Sequence, residues 1–145
     1  MNVVLPIHVV AFETDFAGVV SNTRYVEYLE RGRAALMRAA NLTVESAMEN
    51  CGAQPVVRRV QVEYLAPARH EDDLELHVEV ASHEGARSHL RFELLRPRDG
   101  ALIIRAEQTL VYLTARWKPV RVPNLFREKM PAESVNRQDA KGAKK

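Results

Sequence analysis

Cysteine is almost absent from this 145-residue chain, because Cys51 is its only one. A single cysteine excludes an internal disulfide and fits a reducing compartment. Long apolar runs are also missing, since no stretch approaches the roughly 18 residues that a membrane span needs. The amino-terminal segment has neither a basic region nor a small-residue cleavage site. We therefore expect a soluble, cytoplasmic protein.

An excess of charge is missing too. The chain has 21 basic and 19 acidic residues, which leave a formal charge of +2 at pH 7. Such a balance gives no reason to expect nucleic acid or an anionic membrane as a partner. The sequence contains no glycine-rich phosphate loop and no serine nucleophile elbow. Its five histidines lack metal-ligand spacing, so we expect no metal site.

The clearest pattern that is present lies in residues 23–40, which the sequence predicts to be a helix. Ser21 or Asn22 can cap its start, and Asn41 suits its end. Gly32 costs about 1 kcal/mol against alanine inside a helix, and either close approach to a sheet or a partner, or simple tolerance, explains it. Apolar residues recur three and four positions apart, as on one buried helix face: Tyr25, Tyr28, Leu29, Leu36, Ala39 and Ala40.

Alternation with a period of two predicts the strands. Residues 3–13 are interpreted as a first strand, which Pro6 limits to an edge or a late start. After the helix, four further segments alternate apolar and polar residues, with turn residues such as Asp99-Gly100 between them. We interpret these four as an antiparallel meander with one apolar and one charged face. The predicted fold class is α+β, with one long helix wrapped by a curved antiparallel sheet of about five strands.

The domain organisation follows from where this pattern ends. Residues 1–118 are expected to form one domain. The alternation lapses in residues 119–134, which we interpret as an extension packed on that domain, with a strand end and a short helix. Residues 135–145 are polar and rich in lysine, and are predicted to be a disordered tail.

Residues 12–33, FETDFAGVVSNTRYVEYLERGR, place an acid and a glycine just before the predicted helix. With VEYLAPARHEDDLEL at residues 62–76, this stretch resembles the hotdog-fold acyl-CoA thioesterases of the 4-hydroxybenzoyl-CoA thioesterase type, especially the bacterial branch found with the Tol–Pal system. The resemblance runs in order over residues 5–118. It implies a hotdog fold that hydrolyses an acyl-CoA, or an acyl carrier protein thioester, with no metal or redox cofactor.

The resemblance also implies roles for two residues that stand seven positions apart. Asp15 is the catalytic carboxylate of the motif, as nucleophile or as the base that activates water. The backbone N–H of Asn22 holds the carbonyl oxygen. Both roles make physical sense, because a helix start presents unpaired N–H groups to a developing oxyanion. From the residues alone, an Asx-turn or capping role for Asp15 stays open.

Further contacts with the substrate are expected from residues of three kinds. Glycine lets the backbone turn tightly between acid and helix, the apolar residues line the acyl pocket or the core, and arginines suit the phosphates of coenzyme A. Solvated strand faces explain the arginines equally well. The expected substrate-binding residues are Gly18, Val19, Tyr25, Arg58, Arg59 and Arg87.

The resemblance implies a homo-oligomer, a dimer or a dimer of dimers, with each site built where subunits meet. A thin domain of one helix and one sheet with open edges agrees with it. One departure stands in the motif, where Ser21-Asn22 replaces the usual Tyr-His. A non-catalytic acyl-CoA-binding or scaffold protein on the same fold is therefore the alternative. A hotdog dehydratase is disfavoured, because no histidine lies at the helix start.

Overall fold

The predicted long helix is present in the computed structural model, which describes residues 1–133. This helix, α1, spans Asn22–Ala39. It ends where Asn41 takes a positive φ of 62°, a left-handed conformation that suits asparagine at a helix end. A second helix, α2 (Val44–Cys51), was not predicted. Thr43 caps it, because its hydroxyl accepts a hydrogen bond from the Ser46 amide at 2.9 Å.

The strands follow the predicted alternation, with one shorter than expected. The first strand does not reach residue 13, because the chain leaves the sheet after His8 and forms a short 3-10 turn, Ala11–Glu13. The six strands are β1 (Asn2–His8), β2 (Gln54–Tyr64), β3 (Asp73–Glu84), β4 (Arg87–Arg96), β5 (Ala101–Leu113) and β6 (Pro119–Val120).

The sheet has the order β1-β3-β4-β5-β2, and β6 pairs with β5. All pairs are antiparallel. The predicted meander of four consecutive strands is therefore wrong for β2, which pairs with β5 and not with β3. Residues 65–72 carry the chain from the β2 edge to β3 across the end of the sheet, instead of forming a hairpin. Of the two positions predicted for Pro6, an edge strand or a late start, the edge strand is confirmed, because among the described strands β1 pairs with β3 only.

Helix α1 packs on the apolar face of the sheet. Gly32 is the point of close approach, since a Cβ atom there would lie 2.6 Å from Leu76 Cδ2. The opposite face is charged, as predicted, and includes the pair of Arg91 and Glu79 at 2.6 Å. Within residues 1–133, every helix is too short or too polar to span a bilayer.

Residues after β6 return to the sheet. Helix α3 (Asn124–Lys129) buries Phe126 against Tyr112, with 4.8 Å between the ring centroids. The Val122 amide donates to the Gly85 carbonyl at 2.9 Å. These contacts fasten the segment after β6 to the apolar face. The tail predicted over residues 135–145 lies outside the described residues.

Candidate active site

Asp15 lies in a tight loop, residues 14–20, which joins the 3-10 turn to α1. The Asp15 amide donates to the Val19 carbonyl at 2.9 Å, and the Gly18 amide donates to the Asp15 carbonyl at the same distance. Gly18 has a φ of 81°, which glycine adopts without strain. The 14–20 loop therefore holds the Asp15 backbone between two hydrogen bonds.

The Asp15 carboxylate is exposed at the surface of this loop. Its Oδ1 accepts a hydrogen bond from the Ala17 amide at 2.8 Å, which is an Asx-turn. No second hydrogen bond reaches the carboxylate from residues 1–133, so Oδ2 has no donor among them. The Asx-turn and a chemical role are thus compatible, since the turn orients one oxygen and leaves the other open. Phe16 beside it is fully exposed, at 106%.

The start of α1 presents N–H groups without acceptors. Ser21 occupies the position before the helix, but its side chain makes no capping hydrogen bond. Among the described residues, neither the Asn22 amide nor the Thr23 amide has an acceptor. Unpaired N–H groups and the helix dipole give this end a partial positive charge. An oxyanion that approaches the helix start is therefore stabilised.

Glu13 connects three segments near the start of α1 through hydrogen bonds. This role of Glu13 was not predicted from the sequence. Its Oε1 accepts hydrogen bonds from the Tyr28 hydroxyl at 2.9 Å and the Val10 amide at 3.1 Å. Its backbone carbonyl accepts from the Ser21 amide at 3.0 Å. Burial, and then the bond to Glu13, raise the pKa of Tyr28, so the phenol keeps its proton to donate. The sequence feature that could have indicated this role is the position of Glu13, an acidic residue in an apolar stretch just before the motif.

An open groove of about 290 Å³ begins at the helix start. Tyr25 is buried at its base, where its hydroxyl accepts from the Ala68 amide at 3.3 Å. Tyr64 packs on Tyr25 with 5.5 Å between ring centroids. The Tyr64 hydroxyl donates to the Asn22 carbonyl at 3.3 Å. The groove is lined by Val19, Val20, Asn22, Tyr25, Tyr64, Leu65, Ala66 and Pro67.

The three predicted arginines lie elsewhere. Arg58 and Arg59 are exposed at a bulge in the middle of β2, and Arg87 begins β4. Arg59 precedes Tyr64 by five residues, which is about 17 Å along a strand. The structure therefore brings Val19, Asn22 and Tyr25 together along the groove. Asp15 and Gly18 lie in the adjoining loop, where the Asp15 amide is bonded to Val19, and neither they nor the arginines line the groove.

A larger groove, of about 380 Å³, lies on the charged face of the sheet. Its walls include Arg91 and Glu79, which form an ion pair, and Arg105 and Glu93 at 3.6 Å. These charges neutralise one another, and the groove contains no helix start. The smaller groove is therefore the better candidate for chemistry on a carbonyl group.

The histidines of the described residues have local partners. His8 contacts Asp73 at 2.7 Å and Glu71 at 2.8 Å at the surface. The bonds to Asp73 and Glu71 raise the pKa of His8. No group of three or more histidine, cysteine, aspartate or glutamate residues within residues 1–133 could hold a metal ion.

Comparison with known proteins identifies relatives of this chain. Acyl-CoA thioester hydrolase YbgC of Escherichia coli O6:H1 is 39% identical over 80 residues, which make up 55% of this chain and 59% of that protein. The match thus spans less than two thirds of that relative. Acyl-CoA thioesterase YbgC of Haemophilus influenzae is 29% identical over 119 residues, or 81% of this chain and 86% of that protein.

Solved structures have the same architecture. Slr0204, a 1,4-dihydroxy-2-naphthoyl-CoA thioesterase from Synechocystis, superposes with a TM-score of 0.81, covering 90% of this chain and 96% of that chain at 16% sequence identity. This likeness confirms the predicted hotdog fold. A family model described as the thioesterase-like superfamily matches residues 9–130. The chain belongs to the thioesterase-like superfamily.

Proposed function

We propose that this protein hydrolyses acyl-CoA thioesters to the free acid and coenzyme A. The observation that carries the proposal is an exposed Asp15 carboxylate followed, seven residues later, by a helix start whose Asn22 amide has no acceptor in residues 1–133. One group supplies attack on the thioester carbonyl. The other supplies a donor for the oxygen on which negative charge develops.

Two routes use the same groups. In the first, Asp15 attacks the carbonyl carbon, the C–S bond breaks to release the coenzyme A thiolate, and water hydrolyses the resulting anhydride. In the second, Asp15 takes a proton from a water whose oxygen attacks, and the released thiolate then takes up a proton. In both routes the Asn22 N–H donates to the carbonyl oxygen, and neither route needs a metal or redox cofactor.

The groove is proposed to take the thioester end of the substrate. Gly18 allows the tight turn of the 14–20 loop that carries Asp15, and Val19 and Tyr25 supply apolar wall and base. The groove is open, so either an aliphatic or an aromatic acyl group can enter it. The same site could accept an acyl carrier protein thioester, because the reacting bond is identical.

A second copy of the chain is proposed to complete the site, as a dimer or a dimer of dimers. Phe16 is fully exposed beside Asp15, and Tyr64 and Leu65 are 50% and 48% exposed at the groove. Strand β2 pairs with β5 alone among the described strands, so its other edge is open to a partner strand.

In such an oligomer, the partner chain is proposed to bring Arg58, Arg59 and Arg87 to the coenzyme A phosphates. Arginine forks match phosphate oxygens in geometry and charge. We further propose that the protein is cytoplasmic and of the 4-hydroxybenzoyl-CoA thioesterase type, near the Tol–Pal-associated branch. The order of the motif residues from Asp15 to Arg33 supports that placement.

Release of free coenzyme A thiol tests the proposal. Short, long and aromatic acyl-CoAs are offered to the parent protein, to Asp15→Asn and to Asp73→Asn. Asp15→Asn is expected to lower kcat by about 10² to 10⁴-fold, the range for a positioned acid or base. Asp73→Asn is the matched control, because this side chain is 86% exposed and, within residues 1–133, is bonded only to His8. Parent-like turnover by Asp15→Asn would show that Asp15 is the wrong residue.

The alternative is a non-catalytic acyl-CoA-binding or scaffold protein. It is supported by Asn22, which stands where the resemblance leads one to expect a histidine and which cannot shuttle protons. It is also supported by the Asx-turn that engages one oxygen of Asp15. Calorimetric titration with the same acyl-CoAs discriminates the two. Binding without thiol release by the parent protein favours this alternative.

A further inference from the structure

The loop of residues 65–72, which leads from β2 to β3, is hydrogen-bonded to the chain just before α1. The Val20 amide donates to the Ala68 carbonyl at 2.9 Å. Val19 and Arg69 face each other as an isolated antiparallel pair. The 65–72 loop therefore packs against Val19 and Val20 and holds the chain that enters α1.

The same loop is tied to α1 from its other side. The Ala68 amide donates to the Tyr25 hydroxyl at 3.3 Å, and both residues are buried. Ala66 and Pro67 line the groove. A displacement of the 65–72 loop would therefore move the groove wall and the approach to the helix start together.

Two charged residues hold this loop in place. Asp72 is only 6% exposed, and its Oδ2 accepts hydrogen bonds from the Arg69 amide and from Arg96 Nη1, both at 2.8 Å. Arg96 Nη1 also donates to the Pro67 carbonyl at 3.1 Å. One carboxylate and one nitrogen thus fix the two ends of the segment around Ala68. Arg96 is itself oriented by Asp99, with Nε 3.1 Å from Asp99 Oδ2.

An ion pair with a buried carboxylate is an unexpected choice for a purely structural turn. Removing a charge from water costs free energy that the attraction of its partner only partly returns, and apolar replacements are often as stable. Hydrogen bonds to charged groups are, however, shorter and more directional than neutral ones. The pair is therefore better suited to fixing a position than to adding stability. The position that it fixes is the segment bonded to Val20.

We propose that Asp72 and Arg96 are positioning residues for thioester hydrolysis. They touch neither substrate nor reacting atoms, and they act through the Ala68 carbonyl on the chain that enters α1. The inference rests on the proposed function, since it concerns the geometry between the Asp15 carboxylate and the Asn22 amide. Reacting groups tolerate little displacement, because about 1 Å of misplacement costs roughly 10²-fold in rate.

The test compares kcat and KM for three variants in the thiol-release assay. Asp72→Asn keeps the shape of the side chain and an acceptor for the Arg69 amide but loses the charge. Arg96→Met keeps the length and loses the donors. Both are expected to lower kcat by about 10- to 100-fold with KM near the parent value. Arg91→Met is the matched control on the same strand, because it breaks an ion pair on the opposite face.

Two further readouts separate positioning from general loss of structure. Arg96→Lys should recover kcat relative to Arg96→Met, because a single nitrogen makes both bonds to Asp72 and Pro67, and an ammonium has three donors. Hydrogen exchange of the Val20 amide should be faster in Asp72→Asn than in Arg91→Met, at temperatures where both are folded. If Arg96→Met does not fold, Asp72→Asn decides the test.

Asp15→Asn, in the same assay, keeps the two proposals distinguishable. Parent-like turnover by Asp15→Asn overturns the proposed site itself, whatever Asp72→Asn does. If Asp15→Asn is inactive while folded Asp72→Asn and Arg96→Met keep the parent kcat, the positioning role alone is overturned. A raised KM with unchanged kcat in Asp72→Asn also overturns it, because that result indicates a role in binding.

Discussion

Gly32 of α1 lies so close to Leu76 of β3 that a Cβ atom would be 2.6 Å from Leu76 Cδ2, and 2.9 Å from Val78 Cγ2. Real Cβ atoms essentially never approach a neighbour that closely, so with any other residue the Leu76 and Val78 side chains, or the helix itself, must shift. The glycine that weakens α1 as an isolated helix is therefore what lets it pack on the sheet.

Gly32→Ala is accordingly expected to destabilise the fold. The substitution gains about 1 kcal/mol of helix propensity but overpacks a core position, which typically costs about 1–3 kcal/mol. We expect the free energy of unfolding in urea to fall or, at the least, not to rise. Combining it with Leu76→Val, which removes the clashing Cδ atom, should recover part of the loss. A gain of about 1 kcal/mol in Gly32→Ala alone would contradict the close approach.

The oxyanion donor can be tested without changing the helix. Asn22 is the first residue of α1, a position that accepts proline, and Ser21 before it has the extended φ and ψ of −66° and 144° that a following proline requires. Asn22→Pro thus removes the N–H in question together with the Asn22 side chain, and it leaves the helix in place. We expect a kcat loss of about 10² to 10³-fold, as for other oxyanion donors.

Asn22→Ala is the control for that experiment, because it removes the side chain and keeps the backbone N–H. It should retain nearly the parent kcat, and both variants should melt near the parent temperature. Equal losses in the two variants would mean that the Asn22 side chain matters and not its amide. Parent-like turnover by Asn22→Pro would move the donor role to another group.

The parts of this molecule that sequence reasoning predicted are those in which neighbours along the chain determine the structure. A period of three to four residues marked α1, and a period of two identified which face of each strand is buried. The period of two does not reveal which strand lies beside which, and for that reason β2 was assigned to the wrong neighbour. Helix α2 has only eight residues, so its stability depends on packing that a local pattern does not reveal.

The candidate site divides in the same way. Asp15 and Asn22 share one continuous motif, and the resemblance named them directly. Asp72 and Arg96 are 24 positions apart and meet only because β3 and β4 are neighbours in the sheet. Their contact is a consequence of the sheet topology, so no spacing in the sequence predicts it.

Tyr28 is expected to couple stability to activity through Glu13. Tyr28→Phe removes a buried hydroxyl that donates to Glu13 Oε1 at 2.9 Å. Loss of such a hydrogen bond costs about 1–2 kcal/mol, which urea unfolding would measure. Because the Glu13 carbonyl also holds the Ser21 amide, kcat should fall as well.

Tyr112→Phe provides the comparison for Tyr28→Phe. It removes a buried hydroxyl bonded to Ser88 at 2.8 Å, at the α3 side of the apolar face. We expect a similar loss of stability with kcat unchanged. If kcat falls equally in both variants, Glu13 has no special link to the reaction.

His83 is expected to make the fold less stable as the pH falls. Its Nε2 donates to the Met130 carbonyl at 2.7 Å, and its Nδ1 accepts from the Ser88 hydroxyl at 2.7 Å. A proton on Nδ1 would turn this acceptor into a second donor, so the buried Ser88 hydroxyl, which is also bonded to the Tyr112 hydroxyl, would have to reorient. Burial lowers the pKa of His83 below its ordinary value of 6.5, against the opposing effect of the Met130 bond.

The sign of the pH effect follows from that direction. Below about pH 6.5 the unfolded chain binds a proton at residue 83 that the folded chain does not, so the free energy of unfolding falls as the pH is lowered through this range. His83→Gln keeps a donor and an acceptor but does not titrate, and should flatten the curve between about pH 7 and 5. His77→Gln makes the same change at a partly exposed histidine and is the matched control. Equal slopes in the parent and His83→Gln would mean that His83 is protonated equally in both states, and the lowered pKa would be wrong.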